Sequence, residues 1–158
     1  MTTALRTRDH QKSKVYAAEH LLRPMLERAG TPTEVSGVTL VLEPERRFVG
    51  LIEAQIYVHR VLGHPEVIAE FGPSRPVQVV TRRGDAWAHY EAGRIAIHPD
   101  SVWALRELVV LHELAHHYAP AAYHGKRFTY TFIRLVEIMI GPQAALALRL
   151  LLHGQGAH

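Results

Sequence analysis

The chain has 158 residues, 47% hydrophobic and 21% charged, which is globular composition and enough length to bury one core. It has no cysteine, so disulfides, thiolate metal sites and a zinc ribbon are excluded. The formal charge is only +3, and the fifteen arginines are scattered, so nothing in the balance argues for a nucleic-acid groove.

The first 14 residues are polar and charged, without the apolar core and small-residue cleavage site of a signal peptide. The apolar runs at 108–111 and 144–152 are too short, or too broken by Arg149, to span a membrane. A soluble, cytoplasmic protein is the expectation.

Residues 9–29 read as a helix, with Pro24 predicting a kink or an early end and Gly30-Thr31-Pro32 stopping it. A short strand is expected at 38–42. Pro44 can open a second helix that runs to about Leu62, and one further turn is expected at 66–71. The pattern then changes. Residues 77–81, 86–91 and 94–98 read as a three-stranded antiparallel meander, with turns at Arg83-Gly84-Asp85 and Ala92-Gly93.

Asp100 or Ser101 can cap a helix over 102–118, which is apolar nearly all round and so should be buried. Helices at about 125–140 and 142–152 complete the chain. Trp87 and Trp103 are expected in the core or a cleft wall, and 144–152 is expected to pack over the core. The sum is one α+β domain over 1–158: a mainly helical part at about 9–72, then a sheet and catalytic part at about 76–153.

Within the buried helix stands His112-Glu113-Leu114-Ala115-His116. Residues four apart on a helix are only about 40° apart around its axis, so both imidazoles face one side and can bind one zinc ion. Glu113 is rotated by about 100°, beside the metal rather than on it, and suits a general base. Zinc lowers the pKa of water to roughly 7, which makes hydroxide available at neutral pH. In a chain with twelve histidines the pattern alone is weak. Two imidazoles and a carboxylate are costly to bury, however, and a metal accounts for all three.

A catalytic zinc needs a third protein ligand and an open fourth position. His124, after the helix-ending Pro120, is the first candidate, with Gly125 beside it and Phe128 as an anchor. Glu137 is the second, although Arg134 three residues before it offers an ion pair instead. His117 points away from the pair. His98 reads as a turn residue, and His89 and Tyr90 as neighbours of the cleft. Tyr118, Tyr123 and Tyr130 are nearby, with none assigned as the oxyanion donor. Residues 95–98, taken as an edge strand, could pair with an extended substrate or simply pack on the helix.

His112-Glu113-Leu114-Ala115-His116 followed by His124-Gly125-Lys126-Arg127-Phe128 resembles the SprT-like and related small zincin metalloproteases. Arg94-Ile95-Ala96-Ile97-His98-Pro99 looks like the edge strand that leads into their active-site helix. The whole chain, including Arg8-Asp9-His10-Gln11 and Val15-Tyr16-Ala17-Ala18-Glu19, resembles an actinobacterial family of small metallohydrolases. The resemblance implies a zincin-like fold, zinc on His112, His116 and His124, Glu113 as base, and a peptide or protein substrate. The gap from His116 to His124 is shorter than in SprT-like proteins and no cysteine ribbon follows, so their DNA-linked role does not carry over. The rival expectation is a non-enzymatic, zinc-containing module that binds nucleic acid or protein.

Overall fold

The computed structural model describes residues 9–84 and 88–157. Arg8, Asp85 and Trp87, which entered the expectations above, lie outside them.

The chain is α+β. Helix α1 (Lys12–Glu27) leads into a hairpin of β1 (Pro32–Val35) and β2 (Val38–Val41). Helices α2 (Leu51–Leu62) and α3 (Pro65–Phe71) follow, then β3 (Gln78–Thr81), β4 (His89–Glu91) and β5 (Arg94–Ile97). Three helices close the described chain: α4 (Glu107–Tyr118), α5 (Lys126–Met139) and α6 (Pro142–Gly154). Among the described residues no helix is long and apolar enough to cross a membrane.

Helix α4 forms the centre. Leu108, Val110, Leu111, Leu114 and Ala115 are all fully buried, so it has no solvated face over most of its length, as its sequence requires. Helix α5 packs on it through Phe128, Phe132, Leu135 and Val136. Helix α6 buries Ala144, Ala147, Leu148 and Leu152 and joins α5 to α1, so the 144–152 run is core packing. Its first turn is held from afar. The Glu43 carboxylate accepts from the backbone N–H of Gln143 at 2.8 Å and of Ala144 at 2.9 Å.

Several expectations need correction. Helix α1 runs past Pro24 to Glu27, because a proline so near the end removes only one bond to the preceding turn. Residues 44–50 are not helical, and α4 begins at Glu107 rather than at 102. The two departures have one cause. Phe48 donates its N–H to the Leu105 carbonyl at 2.9 Å, and Glu107 donates to Arg46 at 2.9 Å. This bridge holds both stretches extended. Ser101 still acts as a cap, but of the turn before the helix, where its Oγ accepts from Ala104 N–H at 3.1 Å.

The sheet is not a meander. Its order is β3-β5-β4, with β3 parallel to β5 and β4 antiparallel to it. β4 and β5 form a tight hairpin through Ala92 and Gly93, both at positive φ, as a two-residue turn of matching twist requires. β5 carries the fully buried Ile95 and Ile97, so burial puts it in the middle. The strand at 95–98 is therefore central, not an edge. The free edge of β3 is covered by Gln55 of α2, whose side-chain amide donates to Val77 O at 3.0 Å and accepts from Val79 N–H at 2.7 Å. β4, the other edge strand, packs against α4.

Candidate metal centre

The four-residue spacing on α4 puts the rings of His112 and His116 side by side, with centroids 5.1 Å apart. After Pro120 the chain turns through Ala121 and Tyr123, both at positive φ, and His124 comes back over α4. Its ring meets that of His116 edge-on, with centroids 4.7 Å apart. Phe128, one turn into α5, lies 4.5–4.9 Å from all three rings and fixes their packing. One nitrogen from each of the three histidines falls within 4.8 Å of the others. His112 and His124 are buried and His116 is half-buried.

The hydrogen bonds decide which nitrogens face inward. His112 Nδ1 lies 2.9 and 3.0 Å from the two oxygens of Glu19, itself buried in α1. His124 Nδ1 lies 2.5 Å from Asp9 Oδ2. Ionised carboxylates only accept, so Nδ1 carries the proton in both rings and Nε2 is left to face the centre. There His112 Nε2 and His124 Nε2 stand 3.3 Å apart. Two nitrogens each about 2.0–2.1 Å from a tetrahedral zinc ion stand about 3.3 Å apart. The residues fit the metal.

Electrostatics agree with the geometry. Burial works against a charge on His112, but Glu19, and then Glu113, outweigh it and move the net shift upward. Their field favours a cation at this place. Burial, and after it the neighbouring His112 and His124, pushes His116 down to about 3, which leaves its ring neutral with a lone pair. His124 is shifted down, again chiefly by burial, with Asp9 opposing.

Comparisons with protein-family models, with curated proteins and with solved structures find no match for this chain. The reading of the site therefore rests on its own chemistry.

Glu113 is buried, yet it lines a cavity of about 480 Å³ together with His116, His124, Tyr16 and residues 88–90 of the β4 edge. Burial raises its carboxyl pKa; His112 opposes the shift and Glu19 adds to it. The backbone of Tyr90 hydrogen-bonds to its carboxylate, which ties the base to β4. β4 is itself tied to α4 by His117, whose Nδ1 meets the Tyr90 hydroxyl at 2.8 Å while Nε2 meets Ser74 Oγ at 2.7 Å. Tyr16 lies over His112 with ring centroids 5.2 Å apart. Its hydroxyl pKa is raised by burial and by the Glu113 and Glu19 carboxylates, so it stays protonated.

The expected site residues His112, Glu113, His116 and His124 thus come together. Glu137 does not join them: it pairs with Arg134 at 3.0 Å. His98 is a turn residue, its Nδ1 accepting from Asp100 N–H at 3.2 Å. His89 lines the cavity from an exposed position. Trp103 is half-buried beneath the Arg23 guanidinium, 3.1 Å from the ring centroid. Of the three tyrosines, Tyr123 lines the cavity, Tyr118 stacks on Phe71, and Tyr130 bonds to Glu70.

Asp9, Tyr16 and Glu19 were missed as part of the site. One signal was available for Glu19. It shares a helical stripe with Val15, Leu22 and Leu26, all buried, and a carboxylate on an apolar stripe needs a partner.

Proposed function

We propose that the chain is a zinc-dependent hydrolase of the zincin type, acting on peptide or other amide bonds in the cytoplasm. One observation carries the reading. His112 Nε2 and His124 Nε2 face each other at 3.3 Å beside His116, and Glu113 of the same helix opens into the same cavity.

His112, His116 and His124 would hold the ion; zinc, when bound, polarises a carbonyl and makes hydroxide available near neutral pH. Glu113 takes the proton of the attacking water and delivers it to the leaving nitrogen. Tyr90 N–H keeps the Glu113 carboxylate aimed into the cavity. Tyr16 lines the same cavity, and we assign its hydroxyl as the donor to the negative charge that develops on the substrate oxygen. Residues 88–90 at the β4 edge line the cavity, so an extended peptide would lie along this strand, a role the sequence had suggested for 95–98. The resemblance to SprT-like metalloproteases agrees with this arrangement.

The rival reading, a binding module with a structural zinc, calls for four protein ligands. Among the described residues the donor group has three members, which favours an open site. The deciding experiment is metal analysis of the purified, zinc-reconstituted chain and of His112→Ala/His116→Ala. One zinc per chain, lost in the double variant, is expected. A wild-type chain that takes up no zinc removes the proposal.

A further inference from the structure

Two of the three imidazoles are held from behind by one segment of chain. Glu19, buried within α1, bonds His112 Nδ1 through both oxygens, and Asp9, just before α1, bonds His124 Nδ1. Tyr16, between them in sequence, rests against both rings, with centroids 5.2 and 5.7 Å away. The third ring, His116, sits instead between those of His124 and Phe128.

The rest of α1 is anchored differently. Val15, Ala18, Leu22 and Leu26 are its apolar anchors in the core, while Lys12 and Ser13 of its first turn are exposed. The leading end of the helix is thus held on two sides: by Val15 in the core and Lys14 Nζ on Gly156 O at 3.4 Å, and by Asp9, Tyr16 and Glu19 at the histidines.

We propose that α1 and the residues leading into it form a clamp coupled to the metal, in which Asp9 and Glu19 are positioning residues that turn the Nε2 atoms of His124 and His112 toward the ion. A carboxylate at Nδ1 fixes the proton there, orients the ring and raises the basicity of the opposite nitrogen. The coupling is reciprocal. Whatever factor the docked helix adds to metal affinity, the bound metal adds to the docking of the helix. Asp9, Lys12 and Tyr16 also line the cavity, so the clamp closes one of its walls. The inference rests on the metal site put forward above, and it holds for any reaction that site performs.

The test uses the full chain and two readouts that need no substrate. Zinc affinity is measured by competition with a chromophoric chelator for wild type, Glu19→Gln, Asp9→Asn and the exposed control Ser13→Ala. Amide hydrogen exchange over residues 10–19 is followed with and without zinc. Each carboxamide variant should bind zinc about 10–100-fold more weakly, with Ser13→Ala unchanged. Zinc should slow exchange over 10–19 in wild type, and slow it less in Asp9→Asn. Wild-type affinity in both variants, or exchange in wild type indifferent to zinc, would overturn the clamp while leaving the metal site standing. A wild-type chain without zinc affinity would overturn the site and the clamp together. Should Glu19→Gln fail to fold, Asp9→Asn, at the half-buried end, decides the matter.

Discussion

Arg134 Nη1 lies 3.0 Å from Glu137 Oε2, one turn apart on α5. Glu137 stands nine residues beyond Phe128, about 13 Å along the helix axis, and five beyond Phe132, the two α5 residues whose rings meet the histidines. The carboxylate is thus engaged elsewhere. Glu137→Ala should keep wild-type zinc affinity, whereas His124→Ala should lose more than the roughly 10–100-fold typical of an outer-sphere change. Chelator competition on both variants checks the assignment; a large loss in Glu137→Ala would reverse it.

Glu113 shares its cavity with two of the three histidines without belonging to the nitrogen cluster. Glu113→Gln keeps the shape and removes the proton acceptor. The variant should retain one zinc per chain while kcat falls by about 10²–10⁴, the range of general base catalysis. The measurement is hydrolysis of an unfolded protein or a peptide mixture. Undiminished turnover would take the base assignment away from Glu113.

Tyr16 lies over His112 and keeps its proton under the influence of burial and of three carboxylates. Tyr16→Phe removes only the hydroxyl. Zinc affinity should stay within a few-fold of wild type, while kcat drops on the order of 10², as when one oxyanion donor is removed. An unchanged kcat would place the oxyanion donor elsewhere.

A separate buried carboxylate sets a pH dependence of stability. Glu107, in the first turn of α4, accepts from Arg46 N–H at 2.8 Å and from the Tyr57 hydroxyl. Burial, the largest cause, raises its pKa above the ordinary 4.5, with the hydrogen bonds opposing. The folded chain therefore binds this proton more tightly than the unfolded one. The contribution of Glu107 is full below about pH 4.5 and is lost as pH rises through the raised value. Denaturant unfolding of wild type and Glu107→Gln should show wild type losing ground to the variant from pH 4.5 upward. A difference that does not change with pH would contradict this.

What was legible in the sequence was whatever depends on neighbours along the chain. The spacing of His112 and His116 in an apolar helix, the turn at Ala92-Gly93 and the stop at Pro120 all act over a few residues, and each was readable. The beginnings of α2 and α4 were not, because they are set by pairing between 46–48 and 105–107, stretches nearly sixty residues apart. The sheet order failed for a similar reason. Alternating polarity marks β3, β4 and β5 as strands but does not say which pair is adjacent. The burial of Ile95 and Ile97 decides that, and it appears only once the helices are in place. Asp9 and Glu19 escaped notice because their partners lie 115 and 93 residues away.

Those two separations bear on how the chain comes into being. Asp9 and Glu19 leave the ribosome well before His112 and His124, and at roughly 5–20 residues per second that interval lasts seconds. During it the N-terminal helix has neither an imidazole to meet nor α6 to rest on. The order of synthesis thus delivers the supporting carboxylates before the imidazoles they hold, and the complete donor set can assemble only after His124 has emerged.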